Sequence, residues 1–336
     1  MRHISAFLLF IALEAAPACE LCAIYNASGA NGGLNDGFTF TVAEQYVPYD
    51  TSQFNGQVVH LRNPSYVNSS ITHLVPTYNF SSRFGVSLNV PLEYLSFKRT
   101  DLLYSLSAPP VLFTEQGTES GLGDMALVGR VALYQLTEMS HGVVVSVLGG
   151  VKFPTGNSSR LQEEVAQAEL FQSFLPPGTP HDPLSHSVSS VHQHNLALGS
   201  GSYDGVFGLT TSARWGRWYF NGQFQYYLRT EGESGFQYGN ELMISGGPGA
   251  YVLLGDAFTL SLQANAAYDT MARDQVLGQT SNETGMTAWY LGPLLALTWG
   301  SHFSANAGVD IPMSIANSGF QSVPSYRIHG GVSWRF

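Results

Sequence analysis

The chain ends in Tyr326-Arg-Ile-His-Gly-Gly-Val-Ser-Trp-Arg-Phe336. Every second residue counted back from Phe336 is aromatic, aliphatic or glycine, whereas most of the residues between them are polar or charged. Successive side chains of a β-strand point to opposite faces, so this stretch predicts a strand with one apolar and one polar face. A strand of a soluble sandwich also alternates, but it rarely ends the chain on an aromatic residue.

This terminal pattern resembles the closing strand of bacterial outer-membrane β-barrels, in which alternating apolar residues end at a C-terminal Phe or Trp. In those proteins the strand serves as an assembly signal. The resemblance implies an all-β fold, a transmembrane antiparallel up-and-down β-barrel in the outer membrane of a Gram-negative bacterium. It also implies two partners, the outer-membrane lipid and the barrel-assembly machinery, which would recognise the strand that ends at Phe336.

The N-terminal residues 1–18 have the features of a secretory signal peptide. Arg2 and His3 precede an apolar core from Ile4 to Leu13, and Ala16-Pro17-Ala18 supplies small residues for cleavage. The core is shorter than the roughly 20 apolar residues that a transmembrane helix needs. Because no later apolar run of that length is free of charges and turn residues, a helical membrane protein is excluded.

The composition is typical of a transmembrane barrel, in which lipid-facing and lumen-facing residues alternate. The chain has 36 Gly, 17 Tyr and 20 Phe, and only 11% of its residues are charged. Its mean hydropathy of +0.02 is too apolar for a disordered chain and too polar for a helical membrane protein. A net charge of −10 with 14 basic residues leaves no basic stripe for phosphates, so nucleic acid is excluded as a partner.

Twelve segments alternate over about the nine to eleven residues that a tilted membrane strand requires. We predict these strands at 37–46, 70–80, 84–94, 122–135, 142–154, 203–214, 218–229, 239–253, 258–269, 285–298, 303–313 and 325–336. The sequence therefore predicts one outer-membrane barrel of about twelve strands over residues 37–336. Residues 19–36 would form a periplasmic N-terminal segment.

The predicted connections alternate in length, which is an independent indication of a barrel. Short ones fall near 81–83, 136–141, 214–217, 254–256 and 299–302, as periplasmic turns do. The others, mostly longer, fall near 47–69, 98–121, 155–202, 230–238, 270–284 and 314–324, as extracellular loops do. Aromatic residues near strand ends predict interfacial girdles, formed by Tyr94, Phe97, Trp215, Trp218, Tyr268, Trp299 and Trp334.

Three motifs occur in a fixed order: Gly121-Leu-Gly-Asp-Met-Ala-Leu, Gly150-Val-Lys-Phe-Pro-Thr-Gly156 and Leu198-Gly-Ser-Gly-Ser-Tyr-Asp-Gly205. Over about residues 70–336, this order resembles the outer-membrane family named for the MetA pathway of phenol degradation. Its members are regarded as channels or transporters, some of them linked to the catabolism of aromatic compounds. The resemblance implies a transporter of small hydrophobic or aromatic solutes. Physically, the motif residues indicate turns and strand ends that set the barrel geometry.

Cys19 and Cys22 form a Cys-Glu-Leu-Cys sequence at or near the mature N-terminus. In an oxidising periplasm this pair predicts a small local disulfide, with a redox or metal-binding pair as the alternative. Covalent haem attachment would need His after the second cysteine, where this chain has Ala23. Lipidation of Cys19 is a further alternative, disfavoured because Ala16 replaces the usual Leu.

The longest predicted loop, 155–202, carries His181, His186, His192 and His194. Neutral imidazoles bind Zn, Cu or Ni, so these four residues are the candidate metal ligands. The alternative is a polar loop without metal, and no other cofactor is expected. The stretch from Leu161 to Leu175 has apolar residues near helical spacing, which predicts a helix that folds over or into the barrel mouth.

The alternation places polar and charged side chains of both signs in the lumen. The candidates for solute selectivity are Glu93, Arg130, Arg229, Gln263, Asp269, Asp310 and Arg327. Channels for anions line their pores with rings of Arg or Lys, which 14 basic residues in the whole chain do not supply. A neutral or weakly polar solute fits better. Alternatively, these acidic and basic residues pair with one another inside a narrow barrel.

The leading functional prediction is an outer-membrane channel or transporter for small solutes, and not an enzyme. One alternative is a metal-binding or redox-linked barrel that uses the histidine-rich loop and Cys19 and Cys22. Another is an outer-membrane lipid hydrolase, which needs a Ser bonded to an oriented His. Ser140-His141 and Ser185-His186 are neighbours in sequence, but no catalytic motif surrounds them.

Overall fold

The structure is a computed structural model, and it describes residues 36–138 and 140–336. Residues 1–35, with the predicted signal peptide, Cys19 and Cys22, lie outside the described residues. Twelve long strands in the described chain form one closed sheet. They are β1 (Gly37–Phe54), β2 (Tyr66–Asn79), β3 (Phe84–Ser105), β4 (Ala126–Thr137), β5 (His141–Lys152), β6 (Asp204–Trp215), β7 (Trp218–Leu228), β8 (Glu241–Leu254), β9 (Phe258–Met271), β10 (Met286–Trp299), β11 (Phe303–Asn317) and β12 (Arg327–Arg335).

The twelve strands make an antiparallel up-and-down barrel. Each strand pairs with the next along the chain, and β1 also pairs with β12, which closes the sheet. Closure matters in lipid because backbone N–H and C=O groups at an open edge would have no water to bond. The predicted twelve-stranded barrel is confirmed.

The two ends of the barrel differ in the length of their connections. Short turns join β2 to β3, β4 to β5, β6 to β7, β8 to β9 and β10 to β11, as predicted. Gly216 and Gly300 have φ values of 56° and 59° in two of these turns, a conformation that glycine adopts without strain. The amide of Phe336 donates to the carbonyl of Phe38 at 2.9 Å, so both termini of the barrel lie at this turn end. The turn end is the periplasmic end, and the opposite loop end faces outward.

The barrel is apolar outside and polar inside. In β9, Leu262 and Ala264 are exposed, whereas Ser261, Gln263 and Asn265 between and beside them are buried. The other barrel strands repeat this pattern, including β12, whose outward residues are the apolar set of the terminal motif. A closed barrel with an apolar outer band belongs in lipid, and the protein is located in the bacterial outer membrane.

Aromatic residues surround the turn end. Trp215, Trp218 and Trp299 are 62%, 70% and 68% exposed there, as an interfacial girdle requires. The girdle prediction was wrong for Phe97, which is buried and packs against Val191. The reason is its register, since the odd-numbered residues of the upper part of β3 point into the barrel.

The predicted loop 98–121 is a β-hairpin instead. β3 continues to Ser105, and the Ala108–Leu122 strand pairs with it from residue 92 upward. β4 pairs with β3 only over residues 84–89, so the barrel wall is interrupted beside the loop-end half of β3. This hairpin does not alternate between apolar and polar faces as a lipid-facing strand does, which is why sequence periodicity missed it.

The 153–203 connection between β5 and β6, which we call the lid, closes the loop end. Its helix α1 (Ser159–Ser173) confirms the predicted helix and ends before Pro176. Leu161, Val165 and Ala168 of α1 pack with Leu184 of the lid. Phe236 and Val276, from a small sheet in neighbouring loops, complete this apolar cluster. No helix of the described chain is long and apolar enough to cross a membrane.

Serines tie the far edge of the lid to the opposite wall. The hydroxyl of Ser189 lies 3.2 Å from that of Ser65, just before β2, and Ser190 contacts Ser52 of β1 at 3.3 Å. The amide of Ser322 donates to the carbonyl of Ser190 at 2.7 Å. The lid therefore spans the mouth of the barrel, as expected for a loop of this length.

Candidate functional site

The lumen contains two cavities. The loop-end cavity, of about 160 Å³, lies under the lid and is lined by apolar and charged side chains. The turn-end cavity, of about 260 Å³, is lined mainly by hydroxyl, amide and aliphatic groups. On β2, Ile71 lines the first cavity and Val75 the second, so the cavities lie on one axis through the barrel.

A layer of buried side chains separates the two cavities. We call it the barrier, and its members, one on each of seven strands, are Gln45, His73, Asn89, Gln225, Met243, Asn265 and Tyr290. His73 lies between Ile71 and Val75 and is fully buried, with its Nδ1 3.1 Å from Oδ1 of Asn89. The barrier is made of side chains alone, so rotamer changes or a small ligand-induced shift would join the cavities.

A compensated charge network borders the barrier. The guanidinium of Arg327 contacts the carboxylates of Asp269 and Asp310, and all three side chains are buried. His329 Nε2 lies 3.5 Å from Asp310, and the guanidinium carbon of Arg327 lies 3.8 Å from the centre of the Tyr290 ring. Buried charges cost several kcal/mol unless they are paired, and this arrangement pairs one cation with two anions.

A second network sits where the lid joins the barrel. Lys152 Nζ lies 2.9 Å from Asp124 and 3.1 Å from Asp204. Arg229 bonds Asp204 at 3.0 Å and Glu241 at 2.9 Å. This network brings together the three motifs of the sequence, because Asp124, Lys152 and Asp204 belong to the first, second and third. We call it the hinge network.

Hydrogen bonds fix Asp124 at the centre of the hinge network. Its carboxylate accepts bonds from the Gly156 amide at 3.0 Å, the Ser200 amide at 2.8 Å and the Ser200 hydroxyl at 2.6 Å. Burial raises the pKa of Asp124, but Lys152 and these hydrogen bonds outweigh it and leave the pKa below its usual value. The sequence analysis interpreted these motifs as turns and strand ends, and it did not predict the ion pairs that connect them.

Three lid histidines surround one buried carboxylate. Glu164 of α1 faces His186 Nε2 at 3.5 Å, His192 Nδ1 at 3.8 Å and His194 Nδ1 at 3.4 Å. The His194 amide also donates to Glu164 at 2.9 Å. Asp274, from the loop after β9, lies 3.9 Å from His194 Nε2 on the other side of the ring. We call these five residues the histidine cluster.

The electrostatics of the histidine cluster favour an ionised Glu164. Burial alone would raise its pKa, but the three imidazoles outweigh burial and hold the pKa well below its usual value. Burial lowers the pKa of His186, but Glu164 outweighs it and the pKa is raised. Of the predicted metal ligands, His181 lies apart, with its Nδ1 3.1 Å from the Thr179 carbonyl.

The sequence analysis did not single out Glu164, which is one of three glutamates on α1. Glu163 and Glu169 are exposed. Glu164 instead lies beside Val165 and three residues after Leu161, on the buried stripe of α1. A carboxylate at an apolar position of the helical period was the available signal.

The predicted selectivity residues occupy three places in the structure. Asp269, Asp310 and Arg327 lie together beside the barrier, as just described. Arg229 and Glu93 line the loop-end cavity, while Gln263 and Arg130 line the turn-end cavity. Their roles in solute selection stay a prediction.

The two Ser-His pairs considered for hydrolysis differ in geometry. The Ser140 hydroxyl lies 3.3 Å from His141 Nδ1 in an exposed periplasmic turn, so these two neighbours contact each other. The Ser185 hydroxyl donates to the Asp182 carbonyl at 2.7 Å, whereas His186 faces Glu164. His141 lies at the edge of the turn-end cavity, whereas Ser185 and His186 line neither cavity.

Comparison with known proteins supports the fold. No protein-family model matches the chain, and no curated protein matches its sequence. A solved structure, the COG4313 outer membrane channel from Pseudomonas putida F1, is similar with a TM-score of 0.59 at 15% identity over 90% of this chain and 97% of that chain. The P. putida toluene transporter TodX shares 9% identity over 93% of this chain and 92% of that chain, with a TM-score of 0.39. The first likeness shows the fold alone, the second carries no functional argument, and the resemblance to the MetA-pathway family stays a prediction.

Proposed function

We propose that the protein is a gated outer-membrane channel for small neutral or hydrophobic solutes, aromatic compounds included. The observation that carries this proposal is the pair of coaxial cavities separated by the barrier. A barrel built only for stability would fill its lumen with side chains, whereas this lumen keeps space at both ends. The described structure is the closed state, with the lid over one cavity and the barrier between the two.

The charge distribution supports a neutral cargo. Arg327 is paired with Asp269 and Asp310, and Lys152 and Arg229 are paired within the hinge network. Selectivity for anions or cations comes from rings of like charge along the path. The networks here place opposite charges side by side instead, with one carboxylate in excess in each, and they form no ring of like charge.

The loop-end cavity supports a hydrophobic cargo. Its apolar wall comes from Val67, Ile71, Leu95, Leu198 and Met286, and the rest of the lining includes Glu93, Asp274 and the paired charges of the hinge network. Ligand pockets generally combine an apolar wall with a few polar groups that orient the ligand. Tyr49 adds an aromatic face on which a planar solute would stack.

A blocking substitution tests the proposal. In Ile71→Trp, the indole would fill the loop-end cavity, while Leu262→Trp places the same group on the lipid face as a control. Uptake of a neutral aromatic alcohol into vesicles with a lipopolysaccharide outer leaflet, which is a poor solvent for such solutes, should be slow with Ile71→Trp and unaffected by Leu262→Trp. Equal uptake with both variants would contradict a path through this cavity.

A further inference from the structure

The histidine cluster contains a set of donors that matches a metal site. One oxygen of Glu164 and one nitrogen each of His192 and His194 lie within 4.8 Å of one another, and all three residues are buried. His186 Nε2 points at the same carboxylate from another side, at 3.5 Å. His194 and Asp274 also line the loop-end cavity, but a path for neutral solutes does not require three histidines to converge on one carboxylate.

Two histidine nitrogens and one carboxylate oxygen of the cluster make no hydrogen bond in the described structure. His192 Nδ1, His194 Nδ1 and Asp274 Oδ2 are buried without a hydrogen bond. His192 and His194 are themselves 2% and 7% exposed, and both direct these Nδ1 atoms towards Glu164. A buried polar atom without a partner costs about 1–3 kcal/mol, which a bound cation would offset.

The hydrogen bond made by His186 also supports a metal site. Its Nδ1 lies 3.0 Å from the Pro183 carbonyl, which can only accept, so Nδ1 carries a hydrogen. Nε2, which faces the Glu164 carboxylate, is then the ring nitrogen that could bind a metal. A metal-bound histidine typically has this arrangement, with one ring nitrogen donating to a carbonyl and the other free for the metal.

We propose that Glu164, His192 and His194 bind one divalent transition-metal ion, with His186 as the fourth ligand and Asp274 supporting the His194 ring. Imidazole nitrogens with one carboxylate suit Zn²⁺, and disfavour Ca²⁺ and Mg²⁺, which prefer oxygen ligands. The ion would join α1 to the lid segment 186–194. It would thereby make the lid rigid, and Asp274 would link the site to the loop after β9. An effect of this rigid lid on passage rests on the proposed channel function, whereas metal binding itself does not.

Zn²⁺ titration of the folded full-length protein tests the site. The protein is purified without a histidine tag, in a Cys19→Ser, Cys22→Ser background that removes the other candidate site. We expect one equivalent of Zn²⁺ to bind. His192→Ala and Glu164→Gln should weaken binding by roughly 100-fold or more, since even the loss of an outer-shell partner typically costs about 10–100-fold. His181→Ala and Glu169→Gln, which change the same residue types outside the cluster, should bind as the parent does.

Two further readouts keep the test independent of variant folding. X-ray absorption at the zinc edge of the parent protein should show imidazole and carboxylate ligands at about 2.0–2.2 Å. Zn²⁺ should also slow proteolysis of the lid in the parent and in Glu169→Gln, but not in Glu164→Gln. Absence of stoichiometric Zn²⁺ binding, or binding that His192→Ala and Glu164→Gln leave unchanged, would overturn the proposal. These results are independent of transport, so a metal site could be established even if the channel proposal fails.

Discussion

At the scale of single residues, the lumen is a place where charge is buried and compensated. Arg327 is an example, because its guanidinium contacts the carboxylates of Asp269 and Asp310 and stacks on the Tyr290 ring. Removing one member of such a network leaves the others as uncompensated charges in a medium of low dielectric constant. The lumen residues therefore contribute to stability as well as to any selection of solute.

The Arg327→Met variant tests this compensation. It keeps the length of the side chain but leaves two carboxylates facing each other, so we expect it to lower the free energy of unfolding by about 3–5 kcal/mol. Urea unfolding of the barrel in detergent would measure the change. Arg62→Met, at an exposed position outside the barrel strands, serves as the control, and an equally small effect of both variants would refute the compensation.

His73 is the residue whose removal should open the barrier. It is fully buried between the two cavities, so His73→Ala would connect them with little change to the barrel wall. We expect a larger single-channel conductance than for the parent protein. Leu74→Ala, the neighbour on the lipid side, should conduct like the parent. Unchanged conductance in His73→Ala would show that the barrier does not limit passage.

At the scale of elements, the lid is attached by a close backbone contact. Gly156, after β5, and Gly199, before β6, approach so closely that a Cβ on Gly199 would lie 2.5 Å from the Gly156 carbonyl carbon. Gly199→Ala should force this junction apart at a cost of about 1–3 kcal/mol and speed proteolysis of the lid. Gly149→Ala is the control, since a Cβ there meets nothing within 4 Å. Equal proteolysis of both variants would contradict a role for this contact.

The elements that could be predicted from the sequence are those whose surroundings require a periodic pattern of apolar and polar side chains. Strands in lipid must alternate, so the barrel strands and turns were readable from the positions of residues such as Leu262 and Gln263. The Ala108–Leu122 hairpin strand pairs only with the loop-end half of β3 and does not alternate in this way. Helix α1 was readable from its period, but not the burial of Glu164, because that depends on histidines 22 to 30 residues further along the chain.

At the scale of the whole molecule, a closed barrel can be predicted from the sequence, but the arrangement of side chains and cavities in its lumen cannot. The mixed signs of the inward residues left pairing as an alternative to solute selection, and Arg327 does contact Asp269 and Asp310. Which charges pair follows from the register across the barrel, as for Lys152 with Asp124 and Asp204. The two cavities depend on side-chain packing between strands far apart in sequence, which no local pattern encodes.

The central claim is that solutes pass through this lumen when the lid moves, and a reversible lock tests it most directly. Ser65 and Ser189 have hydroxyls 3.2 Å apart, so cysteines at both positions, in the Cys19→Ser, Cys22→Ser background, should form a disulfide between the lid and the wall. Single-channel recording in a planar bilayer should find the oxidised protein silent. Reduction should restore discrete conductance steps, which a neutral aromatic solute blocks. The same record before and after reduction would contradict the claim.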